Sequence, residues 1–335
     1  NETTVSAGGS IKTYGTSSHG IFNLGDGNET TVSGSISTQG KTAYGIYNMG
    51  KSNVTTIEAG GSIETTGIGA IGVFNEGRGN TTNVVGSITT AGDNKANDDD
   101  TSTQTDGIRN TGGNNTTNVS GTVTTRGNSA RGIYNAGGSN TTTLSGSIIT
   151  EGNSSRGIVN TGTGNKTTIT EIGSIETTGS GSTGIRQTYG AETLTENILT
   201  VEGSISTKGK NARGISNEAN GNKTTVSGSI STEGEIAYGI YNFGDSNETT
   251  ISAGGTVTTT GISSHGVVNE GNTNTTTVSG SITTQGETAY GIYNNGNNNK
   301  TILAGSVTTK GVGAYGYYNV GNDYTTTVPG SIKTA

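Results

Sequence analysis

The sequence of 335 residues predicts an all-β fold: a single parallel β-helix (β-solenoid) of about 25 residues per coil, with three short strands in each of 12 to 13 coils. Three observations lead there. A Gly-Ser-Ile triplet, or its variants with Thr and Val, recurs from Gly9 to Gly330, usually every 25 residues. Each unit carries three apolar anchors, typified by Val32, Ile36 and Ile46, separated by glycine-containing turns, which reads as three short strands. The composition, with 60 glycines, one proline and only 26% apolar residues, gives too little for an ordinary compact core. Disorder is excluded because the net charge is a modest −7 and the apolar residues keep a fixed period.

The first two strands follow from the stretch around Val32. There Asn28, Thr30, Val32, Gly34, Ile36 and Thr38 alternate with Glu29, Thr31, Ser33, Ser35 and Ser37. The first set is nearly uniform from copy to copy and the second varies among polar residues, so the first faces inward. Thr38 has a counterpart in every copy from Thr13 to Thr334, as expected if each side chain stacks on its equivalent about 4.8 Å away. Gly40 is expected at a turn where φ is positive or a side chain would clash.

The third strand follows from Gly-Ile-x-Asn, as in Gly45-Ile46-Tyr47-Asn48, placed 11 residues after each triplet glycine except at Gly107, which an insertion displaces. Alternation fails between Ala43 and Ile46, so Gly45 is expected to form a bend or bulge. Asn48 recurs at eleven of twelve positions, with Gln187 the exception, and is expected to point inward and bond to its neighbours above and below.

Departures from the period are few. Two extra residues precede the triplet in Ser6-Ala7-Gly8-Gly9 and Glu58-Ala59-Gly60-Gly61, which preserves the in/out phase. Residues 93–106 form an inserted acidic loop and 188–198 an irregular one. Residues 3 to 50 closely repeat as 249 to 296, including the Ser-Ser-His-Gly at His19 and His265. The whole of 1–335 is therefore read as one continuous solenoid on the order of 60 Å long, and the absence of polar caps at its ends as the mark of a piece of a longer protein.

Composition also limits function. There is no cysteine, hence no disulfide framework or thiolate metal site, and no apolar run approaches the 18 residues of a membrane helix. Direct membrane insertion by this segment is not expected, and the acidic balance speaks against nucleic-acid binding.

Ala-Tyr-Gly-Ile-Tyr-Asn at 43 to 48, 237 to 242 and 289 to 294, with Gly-Ser-Ile-x-Thr-x-Gly between, resembles the passenger repeats of bacterial autotransporter adhesins across essentially the whole chain. The resemblance implies a right-handed parallel β-helix exported through the outer membrane by a C-terminal barrel that this sequence does not contain. It also implies an extracellular or cell-surface location in a bacterium.

The outward columns at 44 and 47 hold the candidate binding residues. Tyr44, Tyr47, Tyr134, Tyr238, Tyr241, Tyr290, Tyr293, Tyr315 and Tyr318 are nine of the thirteen tyrosines and are expected to form an exposed stripe. Such a stripe suits sugar stacking or an interface anchor, or it simply covers the sheet. Arg109, Arg131, Arg156, Arg186 and Arg213 share these columns in the middle coils and suit carboxylate or phosphate groups, unless Asp106 and the acidic loop neutralise them. Replacing Arg131, Arg156 and Arg213 by Ser is expected to leave folding intact, the positions being read as exposed. Asp98, Asp99 and Asp100 are weak metal candidates, lacking the spaced ligands of a calcium loop; a solvated loop is the plainer reading.

Eleven coils carry Asn-x-Thr, from Asn1 to Asn299, an N-glycosylation acceptor pattern that the solenoid explains without sugar. No catalytic residues and no cofactor are expected, because glycan-cleaving β-helices need clustered carboxylates in a groove of long loops. The function expected is a structural or adhesive surface rod: an attachment device, a stalk or a filament subunit. Its partners would be a cell-surface glycan or further copies, end to end or side by side. A glycan-binding module using the Tyr and Arg stripes is the first alternative, and ice binding through the Thr31 column the second.

Overall fold

Each strand pairs in parallel with the strand one coil away, in a register that sets like on like. Val32 lies on Ile57, Ile36 on Ile63, Ile46 on Val73 and Asn48 on Asn75. The computed structural model describes residues 1–92, 105–188 and 196–335. It contains strands and turns without helices among those residues, and it divides into two units, Asn1–Asn165 and Lys166–Ala335.

In the first unit, sheet A runs from Glu2–Val5 to Thr141–Leu144, sheet B from Ser10–Thr13 to Ser147–Thr150, and sheet C from Ile21–Asn23 to Arg156–Asn160. In the second unit the same sheets begin at Lys166–Ile169, Ser174–Thr177 and Thr183–Gln187, and end at Thr325–Thr327, Ser331–Thr334 and Tyr317–Asn319. Thirteen strands of sheet A, thirteen of sheet B and twelve of sheet C among the described residues correspond to about thirteen turns, as the repeat predicts.

The core is a stack of three apolar columns, one from each sheet. Val32, Ile36 and Ile46 are at most 1% exposed, and each such side chain contributes about 1.5–3 kcal/mol by leaving water. Thr30, Thr38 and Asn28 are buried beside them, while Thr31, Ser33, Ser35 and Ser37 stay partly accessible and Glu29 exposed. The two-residue insertion after Ile57 keeps the phase, since Ile57 and Ile63 are both buried.

Of the two reasons offered for Gly40, clash is the one that applies. A Cβ there would lie 1.8 Å from the Gly15 carbonyl oxygen one coil below. Left-handed backbone falls two residues later, at Thr42 with φ 52°, and at the equivalent Ser17, Ser129, Asn211 and Ile236. Gly45 is likewise a matter of space: its Cβ would sit 2.3 Å from Ile63 Cγ2 and 2.6 Å from the Gly72 oxygen. In the longer sheet C strands the pairing steps over this glycine on both strands alike, from Arg131↔Arg156 directly to Ile133↔Ile158, so the register is kept and the change of phase is a bend rather than a bulge.

Candidate functional site

The outer face of sheet C is where large residues gather, because its two outward columns flank Gly45 and its equivalents. A side chain there lies directly on its register neighbours, so what one coil carries decides how the next is packed.

In the first unit the aromatic residues stack along the coil direction. His19 stacks on Tyr44 at 4.7 Å, Phe22 on Tyr47 at 5.0 Å, and Tyr47 on Phe74 at 5.0 Å and 2°. The Tyr47 hydroxyl donates to the Glu76 carboxylate; burial, then that hydrogen bond, push the phenol well above its usual range. In the second unit His265 lies between Tyr238 at 5.2 Å and Tyr290 at 4.7 Å, and Tyr293 stacks on Tyr318 at 5.8 Å. Tyr241 donates to Glu270 and is raised in the same way, burial again first.

These contacts correct the expectation of an exposed stripe. Tyr241 is buried, and Tyr44, Tyr47, Tyr134, Tyr238, Tyr290 and Tyr293 are half-buried; only Tyr315 and Tyr318, at 52% and 38%, stand open. The physical reason is the coil spacing of about 4.8 Å, which matches the centroid separation of a stacked aromatic pair. The stacked rings cover one another's faces across neighbouring coils, and the Tyr47 and Tyr241 hydroxyls are taken up by Glu76 and Glu270.

The arginine stripe is corrected more sharply. Asp106 is fully buried, accepting from Arg109 Nε at 2.6 Å, Arg131 Nε at 2.7 Å and Arg131 Nη2 at 3.0 Å. Arg109 and Arg131 are themselves only 9% and 8% exposed, and the Arg131 guanidinium lies 3.5 Å over the Tyr134 ring. Neutralisation by Asp106 thus holds, but from inside the sheet. Arg186 binds Glu218 at 2.5 Å; burial raises the Glu218 carboxyl, and Arg186, Ser216 and Thr188 together outweigh it and lower the pKa. Arg213 lies 4.1 Å over Tyr241, and Arg156 is half-buried.

The Asn48 column forms the ladder that was expected. Asn48 Nδ2 donates to Asn75 Oδ1 at 2.8 Å and to Thr55 Oγ1 at 3.0 Å, and the pattern continues through Asn75, Asn110 and Asn135. In the second unit Gln187 takes its place in the ladder by donating to Asn217. A second ladder lies in the Asn28 column, where Asn28 N–H donates to Asn53 Oδ1 and Asn53 N–H to Asn80 Oδ1, both at 2.7 Å. Ten of the twelve Asn-x-Thr asparagines, all but Asn1 and the exposed Asn114, are therefore buried, out of reach of a glycosylating enzyme in the folded chain.

Sequence reasoning missed three things here: the burial of Asp106, the second ladder and the role of the histidines. Asp106 stands in the Tyr44 column immediately before Gly107, which is the signal that could have placed it in the sheet. Asp98, Asp99 and Asp100, and most of 188–198, lie outside the described residues. No group of three metal-ligating side chains comes together among the described residues. The chain matches no protein-family model and no curated protein.

Proposed function

We propose that the chain is a segment of a bacterial surface rod, autotransporter-like in its repeats, acting as a stalk or adhesive module outside the cell and not as an enzyme. The observation that carries this reading is that side-chain chemistry is directed from coil to coil. Asparagine ladders, ring stacks and ion pairs such as Lys208–Glu176 and Lys210–Glu235 all join successive coils. What is left facing water on sheets A and B is mainly Ser and Thr. Such an arrangement resists separation of coils and presents a repetitive surface.

A second reading, a glycan-binding module, rests on Tyr315 and Tyr318, which stack at 5.4 Å while remaining exposed. The test is to display the 335-residue chain between an inert surface anchor and an epitope, then measure epitope height and attachment to glycan arrays, host cells and like cells. Deleting one repeat, residues 223–247, should lower the epitope by about one strand spacing of 4.8 Å and leave the fold intact. Loss of glycan attachment in Tyr315→Ser/Tyr318→Ser would favour the second reading. Release of reducing ends from a polysaccharide panel, abolished by changing one carboxylate, would sink both.

A further inference from the structure

The seam between coils beside sheet C takes two hydrogen-bond patterns. In the first, the backbone N–H of the Tyr44 column donates to the carbonyl before that column one coil back: Arg131 to Thr105 at 3.2 Å, Arg156 to Ala130 at 2.9 Å, Arg213 to Ser182 at 3.0 Å. In the second, that carbonyl turns inward and accepts from the hydroxyl of its own coil's Thr38 column: Thr38 to Ala43, Thr232 to Ala237, Thr259 to Ser264, Thr284 to Ala289. The ladder bond is then made by the following glycine, Gly239 to the His265 oxygen and Gly266 to the Tyr290 oxygen.

The inward carbonyl is no longer available to the next coil's amide. At two seams a histidine supplies the missing acceptor. Tyr44 N–H donates to His19 Nδ1 at 3.0 Å and Tyr290 N–H to His265 Nδ1 at 2.9 Å, each ring also stacking on the tyrosine whose amide it holds. An imidazole can accept at Nδ1 only while that nitrogen is unprotonated.

We propose that His265, and His19 at the same column in the first unit, are acid-responsive caps. Protonating the imidazole moves the next coil's Tyr amide from Nδ1 to the serine carbonyl, switching that seam from the second pattern to the first. The fold already accommodates the product. In coils with the first pattern the threonine hydroxyls, such as Thr90, Thr125 and Thr177, have no protein partner. Thr259 would join them.

The surroundings set where this happens. Facing His265 are the phenols of Tyr238, Tyr290 and Tyr293. The Glu270 carboxylate is held by Tyr241, over whose ring Arg213 lies. Among the described residues no carboxylate bonds the ring, and burial brings its pKa down to about 4. Around His19 stand Tyr44, Phe22 and Tyr47, with Glu76 bonded to Tyr47, and burial lowers its pKa also.

Nuclear magnetic resonance on the labelled full chain tests the switch directly. At neutral pH the Tyr290 amide should show a nitrogen–nitrogen coupling across its hydrogen bond to His265 Nδ1. As the ring protonates, that coupling should vanish and one to the Ser264 carbonyl should appear, with the other strands unchanged. In His265→Phe, which keeps an aromatic ring in the stack, the Tyr290 amide should not respond to pH over the same range. Three results would each overturn the proposal: a coupling to Nδ1 lost without one to Ser264 appearing, an equal acid response in the Phe variant, or collapse of the whole unit as His265 protonates.

Discussion

Replacing Arg131 by Ser tests whether the arginines of sheet C are solvated surface or internal struts. Asp106 has no exposure and receives three hydrogen bonds, two of them from Arg131 at 2.7 and 3.0 Å. The substitution leaves the carboxylate with Arg109 Nε alone among those three, and it removes the guanidinium 3.5 Å above Tyr134. Removing one partner of a buried ion pair costs about 3–5 kcal/mol, mainly because the other charge stays desolvated. Arg126→Ser provides the comparison, since Arg126 meets Glu151 at 3.4 Å with both side chains about half exposed. Its loss should cost less than about 1 kcal/mol.

Because coil stacks unfold in parts, the assay is native-state hydrogen exchange at the Ile108, Ile133 and Ile158 amides of the intact chain, not a single melting temperature. Arg131→Ser should speed exchange there by about two orders of magnitude or more, each factor of ten being about 1.4 kcal/mol. Adding Asp106→Ile, the residue type that Ile71 places in the same column, should recover part of the loss, giving a coupling of about 2 kcal/mol. Equal protection in Arg131→Ser and Arg126→Ser would refute the strut and restore the exposed stripe that the sequence suggests.

Three further outcomes follow from the geometry. Asn135 donates to Thr142 and Asn160 and accepts from Asn110, so Asn135→Ala should lose about 3 kcal/mol in local exchange, at roughly 1 kcal/mol for each bond. Asn135→Gln should lose less, as Gln187 stands in the same ladder. Ile236 is β-branched at φ 55° where Asn211 occupies the equivalent position at the same φ, so Ile236→Asn should stabilise by about 1 kcal/mol in denaturant melts. His265 is held near 4 against 6.5 when free, so its contribution is complete above pH 6.5 and declines as pH falls through 4. Up to about 3 kcal/mol should go between those values, and His265→Phe should flatten that part of the stability curve.

The fold was legible because stacking forces each inward column to repeat one kind of side chain. Val32, Ile36, Ile46 and Asn48 announce their burial by recurring every coil, and the strand phase follows from them. The outward columns carry no such signal. A buried Asp106 differs from a solvated one only in what lies one coil above, and the sequence shows Arg131 as an isolated cation. Ring stacking escaped for the same reason: Tyr44 and Tyr47 do both face outward, yet they are covered by neighbours in register. The Asn28 column shows itself as inward by alternation, but its ladder is not legible, since each bond runs to a backbone N–H in an adjacent coil.

Inside and outside are coupled through a single peptide. At five seams the carbonyl before the Tyr44 column turns inward to a threonine hydroxyl, and the residue in that column is His19, Tyr44, Tyr238, His265 or Tyr290. Where the column holds Asp106, Arg131 or Thr183, the same carbonyl points along the ladder, and Thr90, Thr125 and Thr177 are left without a protein partner. In these eight coils a ring in the column goes with one internal hydrogen bond and a polar side chain with the other, whereas the Tyr315 coil, whose Thr309 hydroxyl has no protein partner, departs from that pairing. Evolution of a binding surface on sheet C cannot vary these residues freely, because each change alters which backbone groups join the coils. Coils with aromatic rings and coils with charged side chains are accordingly two mechanical types of one repeat, and their order along the chain distributes the two seams among the coils.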